Sequence, residues 1–254
     1  MSVDLRDSCI AHWKMNDVGS SKTFVDETGN HNGAAQRAVG EISIPGQINL
    51  AFECDSVQND YMQCPHHSDF NFGDGAVDRP FSIAGWFRKG ASSVELFNKY
   101  GIGKKEWRVM VVTNRITFIV YDEANGGWRQ QSYQGGALFN DYWFFVVCTF
   151  ASATDVGMKI YIGDNEVQDT FTQSGSYTAM NALDFDVWFA RQGLTEYPVD
   201  FDNVMVFDKV LSQDEVDHLY LNGQGTESLI ANKLCMSSLN NVSEADGILT
   251  KVSC

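Results

Sequence analysis

Proline is scarce in this chain, with 4 in 254 residues, and basic residues are few, with 18 Lys and Arg against 33 Asp and Glu. The net charge of −15 repels phosphate backbones and anionic bilayers, so nucleic acid is not an expected partner. Half of the imbalance and more lies late in the chain, where residues 151–254 hold 5 basic and 16 acidic residues. No apolar run approaches the ~20 residues of a membrane-spanning helix, so membrane insertion is not expected either. The opening residues, Met1 to Asp17, lack a basic stretch followed by an apolar one. The expectation is therefore no secretory signal: a mature fragment, or a product made inside a cell that leaves by another route. No H-E-x-x-H, P-loop, G-x-S-x-G or dinucleotide-binding pattern occurs, and no Cys-x-x-Cys, so the usual metalloprotease, nucleotide, esterase and zinc-ribbon chemistries have no support.

What the chain has is aromatic residues, 17 Phe, 9 Tyr and 6 Trp, which suit a pleated, half-buried surface. Short apolar or alternating runs recur with turn signals between them: Ile10–Met15, Gln47–Glu53, Asp60–Pro65, Phe81–Lys89, then a further series through residue 190. In Phe81–Lys89 the residues Phe81, Ile83, Gly85 and Phe87 alternate against Ala84 and Trp86. Thr113-Asn114, Asn125-Gly126-Gly127 and Gly163-Asp164-Asn165 read as hairpin turns. Near the end, residues 200–207 read as a strand with Val204 and Val206 on one face and Phe201, Met205 and Phe207 on the other. Apolar residues on both faces mean cover on both sides. A single short helix follows. Ser212 and Glu215 form a capping box, Val216, Leu219 and Tyr220 make one apolar face, and Asn222-Gly223 stops it. The fold class is all-β, a two-sheet antiparallel sandwich with one short C-terminal helix. One domain is expected over residues 1–225, and residues 226–254 read as a Ser/Asn-rich tail or a final strand outside it. Asn241-Val242-Ser243 matches a glycosylation sequon.

Six cysteines are present. Cys148 lies in an apolar run and reads as a small buried hydrophobe. Cys54 and Cys64 flank a short connection between two strands, so a cross-hairpin disulfide and a reduced pair are both open. Cys254, on a polar tail, is a candidate to pair with Cys235, with Cys9 or with a neighbouring chain, the alternative again being a reduced thiol.

A series of short motifs, in order, resembles the laminin-G-like, concanavalin A-like jelly-roll superfamily in its bacterial and phage form. The carriers are His12–Asp17, the loop Val25–Gly33, Gly46–Phe52, Asn59–Met62, Arg79–Arg88, Asn140–Phe150, Met158–Val167 and Val199–Val216. The resemblance covers about residues 9–223 and implies a jelly-roll sandwich. It also implies a structural calcium ion joining a loop to the closing strand, with Asp26, Asn30 and Asp202 as the matching ligands. The residues alone equally fit an Asx-type turn at Asp26 and Asn30.

Function transfers poorly between members of such a fold. Sugar recognition needs an exposed aromatic platform beside polar groups, and Trp128 and Tyr133 are the best candidates, with Tyr61, Tyr177 and Tyr197 behind them. Trp86, Trp107, Trp143 and Trp188 lie in apolar strands and read as core. The paired-acid strand motif of sandwich glucanases and the sialidase Asp box are absent, and EVDHLY (Glu215–Tyr220) lacks the second Glu of that motif and falls on the helix. Asp184 and Asp186 read as solvated surface, and His66-His67 is a poor zinc chelate alone. The expected function is a non-enzymatic binding or structural module on the surface of a virion or similar assembly, such as a capsid decoration or tail adhesin. Its partners would be neighbouring subunits, in an oligomer, or a cell-surface glycan. A free or processed extracellular lectin is the alternative, and a polysaccharide-cleaving enzyme the third.

Overall fold

The computed structural model describes residues 3–17, 22–36, 42–55, 60–91, 93–135 and 141–231. Cys235, Cys254 and the sequon at Asn241 lie outside them. Most strands fall in two antiparallel sheets. The larger has nine strands in the order β16 (Thr170–Ser174), β12 (Gly127–Gln134), β11 (Arg115–Asp122), β10 (Lys104–Val112), β9 (Val94–Gly101), β17 (Val187–Phe189), β7 (Tyr61–Cys64), β4 (Gly33–Gln36) and β3 (Thr23–Phe24). The other has eight: β15 (Asn165–Val167), β14 (Met158–Ile162), β13 (Phe144–Phe150), β8 (Phe81–Lys89), β20 (Val199–Phe207), β6 (Leu50–Cys54), β5 (Ser43–Pro45), and β2 (Cys9–Trp13) beside β20. Two small pairs complete the chain, β1 (Val3–Asp4) with β21 (Ile230–Ala231), and the hairpin β18 (Arg191–Gln192) with β19 (Thr195–Glu196). The expected all-β class holds.

Alternation decides which way each strand looks. In β8, Phe81, Ile83 and Phe87 enter the core between the sheets, while Ala84 and Trp86 enter a second cluster on the outer face of the eight-stranded sheet. Trp13 sits in the inter-sheet core with Phe24, Phe70, Phe97 and Phe189 around it, ring centroids 5.3–6.1 Å away. Each such buried ring contributes about 1.5–3 kcal/mol. The outer cluster is capped by helix α1 (Gln213–Tyr220), whose Val216 and Leu219 are buried against Trp86, Phe145, Met205 and Phe207. Its capping box is formed as expected, the Glu215 carboxylate accepting the Ser212 backbone N–H at 2.9 Å and the Ser212 hydroxyl at 3.0 Å. The helix stops where Leu221, Asn222 and Gly223 take positive φ.

Strand β20 is covered on both sides, as its apolar residues require, but not with the expected parity. Phe201 joins Val204 and Val206 in the inter-sheet core, leaving Met205 and Phe207 outside. The cause is a bulge between Asp202 and Met205 in its pairing with β8, where Asn203 adopts φ +50°. One extra residue reverses the alternation. At the same point the far edge of β20 changes partner, from β6 at Val199–Phe201 to β2 at Val204–Phe207. The buried side chains of Asp202 and Asn203 tie off that gap. Asp202 Oδ2 accepts the Ile48 N–H at 2.7 Å, and Asn203 contacts His12 Nε2 at 2.7 Å and donates to the Thr226 carbonyl at 2.8 Å.

Of the two readings left open for Cys54 and Cys64, the cross-hairpin disulfide is not formed. Cys54 is in β6 and Cys64 in β7, which belong to different sheets, and no disulfide joins them. Cys9 and Cys148 are free and buried. Burial pushes the thiols of Cys9 and Cys64 up to about 12, which leaves them without a reactive thiolate.

Candidate functional site

A two-sheet sandwich has two outer faces. On the eight-stranded sheet that face is closed by α1 and by Val3, Leu5, Leu211 and their neighbours. The nine-stranded sheet carries polar and aromatic side chains there instead. Register places Gln130 of β12, Ile119 of β11, Arg108 of β10, Asn98 of β9, Trp188 of β17 and Gln63 of β7 side by side in one row. A flanking row holds Trp128 opposite Tyr121, with the Tyr121 and Tyr100 rings 5.2 Å apart. Another sets Ser132, Thr117, Met110 and Glu95 in line. Glu95 reaches this face because β9 bulges at Leu96, opposite Val109 and Met110.

Two guanidinium groups organise the middle of the face. Arg108 stacks over Tyr100 at 4.5 Å and is paired with the buried Glu95. Arg191 stacks over Tyr61 at 3.9 Å and over Trp188 at 4.7 Å. Planar cations on ring faces are held firmly. The β18–β19 hairpin lies across this part, fixed by Asn98 donating to the Arg191 carbonyl at 2.8 Å and by the Arg191–Glu196 pair at 3.4 Å. Burial raises the Glu95 carboxyl to about 7, against the opposing pull of Arg108. With Arg108 as its partner, Glu95 reads as an anchor for the hairpin.

Beyond the hairpin no described residue covers the face. A depression of about 460 Å³ is lined by Met110, Val112, Thr113, Arg115, Thr117, Gln130 and Gln134. Met110 and Val112 give it an apolar base. Arg115 is steadied by donating to Ser132 Oγ at 3.2 Å and by Asp169 at 3.9 Å, and Gln134 donates to the Thr113 and Asn114 carbonyls at 3.3 Å. An open hollow with an apolar floor and a rim of planar donors and acceptors can hold a polyhydroxylated ligand.

Trp128, half-buried, shares the outer side of β12 with Gln130 at the edge of this depression. Tyr133 does not accompany it. Five positions on, it faces the other way and packs on the inter-sheet core. Trp188 corrects the expectation in the opposite sense, since its neighbours Val187 and Phe189 take the core and it stands outside. Tyr61 is on the outer face, Tyr197 packs against the core, and the Tyr177 hydroxyl donates to Asp78 at 3.0 Å. Arg108, Arg115, Gln130 and Gln134 were not singled out from the sequence. The usable signal was parity, because Gln130, Ser132 and Gln134 share a side with Trp128.

The residues matched to a calcium site do not fit one together. Asp26 Oδ1 accepts the N–H groups of His12 (2.8 Å) and Thr28 (3.1 Å), and Oδ2 those of Asn30 (3.1 Å) and His31 (2.9 Å) besides the Thr28 hydroxyl (2.5 Å). Burial works against its charge, but these donors prevail and hold the carboxyl below its ordinary value. A carboxylate so engaged has no lone pair left for a cation. Asn30 is exposed and contributes its backbone N–H. Asp202 alone keeps an unpartnered oxygen, Oδ1.

Comparison with known proteins places this geometry. Among solved structures, the binding domain of Paraclostridial Mosquitocidal Protein 1 matches with a TM-score of 0.66 and 14% identity over 86% of this chain and 53% of that one. A structure of botulinum neurotoxin type C, whose cell entry depends on interaction with two ganglioside molecules, matches with a TM-score of 0.62 and 16% identity, over 87% and 52%. The ligand-binding domain of botulinum neurotoxin serotype D in complex with N-acetylneuraminic acid gives 0.59 and 16%, over 86% and 52%. The chain thus spans about half the length of these structures, and at such identity they share its fold. No curated protein sequence matches. A profile of the Laminin_G_3 family, described as the concanavalin A-like lectin/glucanases superfamily, matches residues 56–217.

Proposed function

The chain belongs to the concanavalin A-like lectin/glucanase superfamily, and from that premise we propose that it is a non-enzymatic binding module whose ligand is a glycan. The observation that carries this reading is the outer face of the nine-stranded sheet, where the depression floored by Met110 and rimmed by Arg115, Thr117, Gln130 and Gln134 adjoins Trp128. Sugar hydroxyls match the planar amide and guanidinium groups, and a pyranose ring matches an apolar floor or an indole. Neighbours in fold include binding domains, one from a toxin that interacts with gangliosides and one in complex with a sialic acid, which supports the same class of ligand. Glu95, paired with Arg108 beneath the hairpin, is engaged in holding the face together.

The test is a glycan array on the full chain, repeated with Trp128→Ala and Gln130→Ala. Each substitution is expected to weaken binding on the order of tenfold, a loss of about 1.4 kcal/mol, with the melting temperature little changed. Binding that survives both substitutions removes the site from this face, and release of reducing ends from a polysaccharide panel replaces the reading with an enzymatic one. For the setting, we propose display on the surface of an assembled particle, where neighbouring subunits are the second partner. Co-sedimentation with particles tests that placement, and a monomer that binds glycan in isolation favours the free lectin.

A further inference from the structure

We propose that His31, His67 and Asp69 form a binding site for a divalent transition-metal ion of the zinc class. The three come from two loops at one end of the nine-stranded sheet. His31 lies in the loop before β4, and His67 and Asp69 lie at the start of the 3-10 turn Ser68–Phe70 that follows β7. One ligand atom from each lies within 4.8 Å of the others. His31 Nε2 is 3.1 Å and His67 Nδ1 3.2 Å from the same oxygen, Asp69 Oδ2. Zinc–ligand bonds of about 2.0–2.2 Å in a tetrahedron separate neighbouring ligands by roughly 3.4 Å, so both spacings are near those of a shared ion.

The support is built to hold the first ligand still. The His31 backbone N–H donates to Asp26 Oδ2 at 2.9 Å, and its carbonyl accepts from Trp13 Nε1 at 2.8 Å. Its ring rests 4.7 Å from that of buried Phe70 and 4.7 Å from that of His67. Asp26, matched to a calcium ligand by resemblance, here positions a metal ligand instead.

His67 Nδ1 also caps the turn, 3.3 Å from the Asp69 backbone nitrogen, which turns it toward the Asp69 carboxylate. Two imidazoles and one carboxylate suit zinc or iron(II) over calcium or magnesium. His67 and Asp69 are exposed, so a fourth position stays open to water.

The experiment is zinc titration of the full chain by calorimetry in competition with a chromophoric chelator. It is repeated with His67→Ala, Asp69→Asn and, as a neighbouring control, His66→Ala. One equivalent is expected, weakened at least about tenfold by His67→Ala and by Asp69→Asn and unchanged by His66→Ala. Cobalt(II) is expected to give a four-coordinate visible spectrum that both site variants lose, with circular dichroism showing that they remain folded. The proposal falls if the wild-type chain takes up no stoichiometric zinc, or if both site variants bind as tightly as it does.

Discussion

Replacing Asp202 by Asn should flatten the dependence of folding stability on pH. Asp202 is fully buried where β20 bulges, with one oxygen accepting the Ile48 N–H and the other, Oδ1, without a partner. Burial raises its carboxyl from 3.8 to about 7, against the opposing backbone N–H groups of Ile48 and Gln47. The folded state therefore holds a proton that the unfolded chain has already released. Stability is greatest below the ordinary pKa and is lost as pH rises through 7. At roughly 1.4 kcal/mol per unit the whole effect is about 4 kcal/mol, of which about 2.5 kcal/mol falls between pH 5 and 8. The amide of Asp202→Asn keeps an acceptor for Ile48 but puts an NH2 where Oδ1 stands, so its stability at any one pH carries a separate cost. The slope does not. Urea unfolding followed by tryptophan fluorescence at pH 5, 6, 7 and 8 gives ΔG for both proteins. Their difference should move in favour of the variant by about 2.5 kcal/mol across that range. Parallel pH profiles would refute a neutral, buried Asp202.

Asp26→Asn should cost about 2–4 kcal/mol near neutral pH, because an amide cannot accept the four N–H groups that converge on Asp26 and turns its own donors toward some of them. Since the native carboxyl is held below its ordinary value, this contribution is present above the unfolded pKa and vanishes as pH falls through the folded one. The gap between wild type and variant in urea unfolding should accordingly close in acid. Lys99→Met should destabilise by about 3–5 kcal/mol by stranding Glu106, for the two form a fully buried pair in which Lys99 Nζ also donates to Asn71 Oδ1 at 2.7 Å and to the Leu183 carbonyl. Adding Glu106→Gln to that variant should recover part of the loss, and a double mutant less stable than Lys99→Met would count against the pairing.

The fold was legible wherever alternation ran undisturbed. Phe81–Lys89 carries its own two-sided instruction, and the capping box at Ser212 fixes where α1 begins. The reading failed where a single residue changes parity. The bulge at Asn203 turns Phe201 to the other side of β20, and the tolerance of Asn for positive φ does not by itself place a bulge inside an apolar strand. Tyr133 falls on the opposite side of β12 from Trp128 because an unbroken strand separates residues five positions apart. Trp188 stands outside because the apolar run around it is buried on one side and stacked with Arg191 on the other. Cys54 and Cys64 look like hairpin partners by separation, but separation does not say whether the chain turns back or crosses to the other sheet. His31 and Asp69 are joined by tertiary packing across 38 positions, which spacing alone cannot reveal.

The same packing decides where a ligand can be met. Burial of Met205 and Phe207 outside the eight-stranded sheet demands a cover, and α1 with the β1–β21 pair provides it. That cover removes one of the two outer faces from use. On the other sheet, the stack of Arg191 on Tyr61 and Trp188 holds the β18–β19 hairpin over the middle strands. Among the described residues, the flank formed by β10, β11, β12 and β16 remains open. Its strands are long and regular, with register unbroken from Trp107 to Val112 against β11 and from Arg115 to Asp122 against β12. Rigid strands let short polar side chains such as Thr117 and Gln130 keep fixed spacing without loops to order on binding. Under the proposed binding role the closing helix acts indirectly: by sealing one face it leaves the opposite flank as the surface on which a partner would be read.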